Sequence, residues 1–169
     1  MLNQTTISIS KNENPKILFD LPPNLDRKTF ESIQRRNHYN FYYFFYKFTQ
    51  ELLIQKKMLN EEDLKTIVQK VTIEVTKRKK SILQKLGISM ENEKDYENIW
   101  NFALNNFSQD QEFLKKRQKI QSIFQKIKNL ILDGKLIKDL DQDPDKMSDK
   151  EIKLAINRMK EKTEKDLFD

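Results

Sequence analysis

Apolar residues recur along most of this chain at offsets of three, four and seven rather than in strict alternation, the pattern of helices that each bury one face. In "HYNFYYFFYKF", His38–Phe48, the residues Phe41, Phe44, Phe45, Phe48 and then Leu52 form one such stripe, and Tyr39, Tyr42, Tyr43 and Tyr46 repeat the spacing on a neighbouring face. The pattern predicts a long first helix from Arg27 to about Lys57, opened by Asp26, whose carboxylate can accept from first-turn amides. Its phenylalanines are expected in the core. The tyrosines carry a hydroxyl on an apolar ring, which suits a face whose hydroxyls reach water or polar partners and leaves them open to a partner protein.

The same reading continues down the chain. Asn60, followed by Glu61, Glu62 and Asp63, opens a second helix, because acids complement the positive end of a helix dipole. Leu64, Ile67, Val68, Val71 and Val75 mark its buried face as far as about Leu86, where Gly87 is placed to end it. After the polar "SMENEKD", Tyr96, Ile99, Trp100, Ala103, Leu104 and Phe107 predict a third helix, and Ser108 is the expected cap of a fourth. The fourth carries Phe113, Leu114, Ile120, Ile123, Phe124, Ile127, Leu130 and Ile131 and stops at Asp133-Gly134. Beyond an acidic loop, Ser148 and Glu151 have the spacing of a capping box for a final helix with Ile152, Ala155, Ile156 and Met159 on its apolar stripe.

The fold class expected is therefore all-α: a single-domain bundle of about five helices with an extended N-terminal arm. Two glycines and four prolines in 169 residues leave long stretches for helices and few residues for hairpins. Residues 1–16, polar and ending near Pro15, are expected to be a flexible arm, and 17–169 a helical domain with a charged C-terminal end, "KEKTEKDLFD". "ILFDLPPNLD" reads as an extended strap, since Pro22 and Pro23 oppose a helix. No run reaches the roughly 20 apolar residues that span a bilayer, and the N-terminus has the pattern of neither a secretory signal nor a transit peptide. A soluble intracellular protein is expected.

Charge then narrows the class of partner. Lys and Arg outnumber Asp and Glu by 32 to 26, a formal charge of +6, which favours polyanionic partners. Two basic clusters stand out. The second helix carries Lys77, Arg78, Lys79 and Lys80, which fits a minimal nuclear-import signal, a phosphate-facing patch, or a solvated helix end favoured by the dipole. The fourth carries Lys115, Lys116, Arg117, Lys119, Lys126 and Lys128 along about four turns that a phosphate backbone can track.

Candidate chemistry is sparse. The chain has no cysteine and one histidine, His38, so thiolate zinc sites, cysteine nucleophiles and histidine clusters fall away, and a lone imidazole is more often a surface or capping residue than a catalyst. Isolated Gly87 and Gly134 do not make a nucleotide-binding loop. Alternating Asp139, Asp141, Asp143 and Asp145 resemble the start of a calcium loop, but Pro144 interrupts them and the required glycine and closing glutamate are missing. No metal, cofactor, small-molecule substrate or membrane is expected, and no enzymatic activity.

Lys115–Lys162 resembles the later part of the central helical domain of transcription elongation factor S-II. Leu132 and Gly134 match that family's turn, Ile137 and Leu140 its apolar positions, and Met147, Ser148, Glu151 and Lys153 the opening of its last helix. The zinc ribbon through which the family acts on the polymerase needs cysteines, so transcript-cleavage stimulation is not implied here. The bias toward Lys, Asn, Gln, Ile and Phe resembles that of proteins from AT-rich ciliate genomes, and a basic helical chain of this size is similar in kind to the small homeobox-like accessory subunits of the ciliate DNA adenine methyltransferase complex. Asn105 follows Trp100 by five residues where the homeodomain recognition helix has three, so that likeness implies a context rather than a base-reading residue. Together these readings lead to a non-catalytic nuclear subunit that holds DNA by non-specific backbone contacts through the two basic clusters. Larger protein subunits would dock on its apolar faces or on Tyr39, Tyr42, Tyr43 and Tyr46. The alternative is a structural protein-protein adaptor with no nucleic-acid contact.

Overall fold

The computed structural model describes residues 21–168. The arm at 1–16 and the first residues of the strap, 17–20, lie outside the described residues. Among those described are five α-helices: α1 (Arg27–Gln55), α2 (Glu61–Lys85), α3 (Glu93–Phe107), α4 (Gln111–Leu132) and α5 (Asp149–Phe168). Two short 3-10 turns, Lys138–Leu140 and Pro144–Lys146, interrupt the connection from α4 to α5. The fold is all-α, as the pattern predicts.

Local chemistry sets the helix ends. Asp26 accepts from the amide of Thr29 at 2.8 Å and starts α1. At α2 the capping box is reciprocal: Asn60 accepts from the Asp63 amide at 2.8 Å, and the Asp63 carboxylate accepts from the Asn60 amide at 3.0 Å. Ser148 and Glu151 do the same for α5. α2 and α4 both end in a Schellman motif, with the amides of Ile88 and Lys135 bonded back to the carbonyls of Leu83 and Leu130. Gly87 and Gly134 supply the positive φ, 86° and 77°, that these turns need. Two expectations shift. α3 starts at Glu93, before its first apolar residue, and the cap of α4 is Asp110 rather than Ser108, whose backbone instead closes α3.

α1 is the central helix, and two cores are built along it. Near its start, Leu25, Phe30 and Ile33 pack with Leu83 and Ile88, with Tyr96, Ile99, Trp100 and Ala103 of α3, and with Phe113. Phe30 stacks on Trp100 with centroids 4.1 Å apart. Toward its end, Tyr39, Phe44, Phe45 and Tyr46 meet α2, α4, α5 and the α4–α5 connection. Phe44 and Phe45 are buried and Phe41 and Phe48 partly so, as the phenylalanine stripe predicts. The tyrosine face does not stay wet along its length. The α4–α5 connection folds back over it: the Tyr39 hydroxyl donates to the Asp139 carbonyl at 2.7 Å, with the Gln142 carbonyl at 3.1 Å, and the Tyr46 hydroxyl accepts from the Ile137 amide at 3.2 Å.

Candidate nucleic-acid interface

The first basic cluster is tied into the fold. Arg78 makes a two-pronged pair with Asp145, donating through Nε and Nη2 at 2.8 Å each, and also reaches Glu74 at 2.7 Å. Its guanidinium lies 4.4 Å from the centroid of Phe44. The Asp145 hydrogen bonds raise the pKa of Arg78, and the same contact holds the Asp145 carboxyl below the usual range. Lys79 sits 3.7 Å from Glu97 and over the Trp100 ring, and Lys80 pairs with Glu93 above Tyr96. Of the four, Lys77 alone is exposed and has no ion pair among the described residues. This cluster chiefly stitches α2 to α3 and to the acidic connection.

The acidic connection is engaged in the same way. Asp139 takes Arg158 at 2.9 Å and Lys162 at 3.4 Å, and Asp143 caps the turn by accepting from the Asp145 amide. Arg36 closes the end of the segment by donating to Asp149 and to the carbonyls of Pro144 and Met147. These carboxylates already have cationic or amide partners within the chain.

The second cluster behaves differently. A cleft of about 220 Å³ opens where α1, α4 and α5 meet, and its walls carry Arg35, Lys116, Arg117, Lys119, Lys153 and Lys160 against one acid, Glu31. Glu31 is itself paired with Arg27 at 3.1 Å and lies 3.8 Å from Lys116, which also pairs with Glu112 at 3.5 Å. The floor is apolar, with Phe113, Ile120, Ile123 and Ile156. A low-dielectric floor beneath like charges strengthens their attraction for an anion and leaves them poorly screened from one another without it.

Two arginines decide the character of this cleft. Arg27, Arg36, Arg78 and Arg158 each hold a carboxylate, whereas Arg35 and Arg117 have no ionic partner among the described residues, and both line the cleft. The Nε of Arg117 is buried without a hydrogen-bond partner. Beside it, His38 packs its ring on Phe124 at 5.6 Å instead of lying on the surface or at a cap. Burial, reinforced by the Arg117 charge, pushes His38 down to about 4, so it is neutral at pH 7.

The structure thus brings Lys116, Arg117 and Lys119 together. Lys115 and Lys126 extend the set, since with Lys119 they share one stripe of α4 over about 16 Å. Lys128 lies on the other flank of α4, half-buried. Arg35, Lys153 and Lys160 were not legible as site residues until the helices were packed. One signal did exist: Lys153 and Lys160 are seven residues apart, and so on one face of α5. Of the tyrosines, Tyr39 and Tyr46 are buried, Tyr42 stacks on Phe124 at 4.5 Å, and Tyr43 is half-buried beside the acidic connection.

Comparison of the chain with protein-family models, with curated proteins and with solved structures finds no match.

Proposed function

We propose that this protein is a non-catalytic DNA-binding subunit of a larger nuclear assembly, holding the phosphate backbone in the α1–α4–α5 cleft and along the Lys115–Lys119–Lys126 stripe. The observation that carries the reading is the convergence of six cations and one acid from three helices on one cleft, while Arg36, Arg78 and Arg158 elsewhere are neutralised by carboxylates. Backbone contacts of this kind position a duplex without reading its sequence. The absence of catalysis is supported by where the acids go: Asp26, Asp63, Asp110 and Glu151 cap helices, and Asp139, Asp145 and Asp149 hold arginines.

Counterion release supplies the test. Six phosphate contacts give a slope of log affinity against log salt of about −5, and each contact removed flattens it by about 0.9. Fluorescence anisotropy with a duplex of arbitrary sequence should show that slope. The triple change Lys119→Glu, Lys153→Glu and Lys160→Glu should lower affinity by a factor independent of sequence, whereas Lys77→Glu should have a much smaller effect. Binding that ignores salt, or that survives the triple change, overturns the reading.

One observation favours the adaptor alternative. Leu136 is 80% exposed beside a groove lined by Ile127, Leu130, Ile137 and Met159, an apolar surface of the kind that proteins cover. Capture of partners from a nuclease-treated extract by a chain that does not bind DNA would favour that role.

A further inference from the structure

We propose that the cleft is a seat for a single phosphate group anchored by Arg117, and that a phosphate bound there stabilises the fold as well as the complex. The inference rests on the reading of the cleft as phosphate-facing and says which residue makes the central contact and what its presence does to the free protein.

Three observations converge on Arg117. Its guanidinium offers five donors in a planar fork suited to phosphate oxygens, yet Nε is buried with nothing to donate to. Arg36 and Arg78, which are also partly buried, are saturated by carboxylates and carbonyls, so an unmatched arginine is not the general habit of this fold. Arg35, Lys116, Lys119, Lys153 and Lys160 line the same cleft, where Glu31 is the one acid and Glu112 pairs with Lys116 from outside it at 3.5 Å. In the anion-free protein this grouping is unfavourable, because like charges repel above an apolar floor and a buried donor goes unbonded. One anion relieves the repulsion.

Size selects the ligand. Pockets that enclose a whole small molecule run from about 300 to 1,000 Å³. At about 220 Å³ the cleft suits one compact anionic group, with the rest of its molecule outside. The lining contains no exposed aromatic ring on which a base could stack, so the group recognised is the phosphate and not the nucleoside. A DNA backbone phosphate and a free phosphate or pyrophosphate share this chemistry, and the experiment separates them.

Thermal unfolding of the full chain is followed in low-millimolar pyrophosphate and in chloride of equal ionic strength. A ligand that binds only the folded state at ten times its Kd should raise the Tm by about 3–6 °C over chloride. Arg117→Leu should match or exceed the wild-type Tm in chloride and lose the response to pyrophosphate, while Lys57→Gln, on an exposed residue away from the cleft, should keep it. Should Arg117→Leu fail to fold, Arg117→Lys retains the charge without the fork and should weaken pyrophosphate binding roughly tenfold. An equal pyrophosphate response in wild type and Arg117→Leu, or none in the wild type, overturns the seat. With no wild-type response but salt-dependent duplex binding intact, the seat fails and the DNA reading stands. A pyrophosphate response confined to intact Arg117 without duplex binding supports the seat for a free phosphate and overturns the DNA reading alone.

Discussion

His38 takes on a character in the folded chain that its place in the sequence does not announce. It sits against Phe124 next to Arg117, and burial with that neighbouring charge keeps it neutral down to about pH 4. In the unfolded chain it titrates near 6.5. As pH falls from 6.5 toward 4, the unfolded state gains a proton that the folded state refuses, so stability declines across that window and the contribution levels off below it. The loss should reach on the order of 2–3 kcal/mol. Urea unfolding at a series of pH values should show a steeper decline for wild type than for His38→Gln between pH 6.5 and 4, and parallel curves would contradict the burial. Sequence offered only a lone imidazole. That it lies beside Arg117 depends on how α4 crosses α1, which spacing along one helix does not encode.

At the scale of elements, helix ends were legible because capping is local chemistry: Asp26, the Asn60–Asp63 and Ser148–Glu151 boxes, and Gly87 and Gly134 each act within about one turn. Gly87 gives a direct check. A Cβ there meets no neighbouring atom within 4 Å, so Gly87→Ala tests the backbone alone, at φ +86°. The substitution should lower stability by about 1–2 kcal/mol, read as a lower urea midpoint at unchanged m-value. A neutral result would mean that the turn relaxes. The cap of α4 was misplaced because Ser108 and Asp110 both carry side chains able to cap, and only Asp110 accepts from the Glu112 amide, at 2.8 Å. Which partner the tyrosine face meets was not legible for a different reason. The spacing of Tyr39 and Tyr46 suits water or a polar partner alike, and the α4–α5 connection supplies backbone partners from about a hundred residues away along the chain. Likewise, half of the basic cleft was visible as a run on α4, while Arg35, Lys153 and Lys160 join it only through packing.

For the molecule as a whole, α1 runs through both cores, with α2 and α4 also contributing to each: one core joins its first turns to α3, the other its later turns to α5. The single tryptophan, Trp100, belongs to the first. Neither end can lose α1 without exposing the apolar face that the other end needs, so the bundle should unfold in one step. Urea titrations followed by Trp100 emission and by far-ultraviolet circular dichroism should therefore superimpose, and a displaced fluorescence curve would mean that the α3 end comes apart on its own. Such a shared keel lets news travel. A ring of light-absorbing carbon at the α3 end becomes a sentinel for damage at the opposite end, where no comparable optical probe stands among the residues of α5.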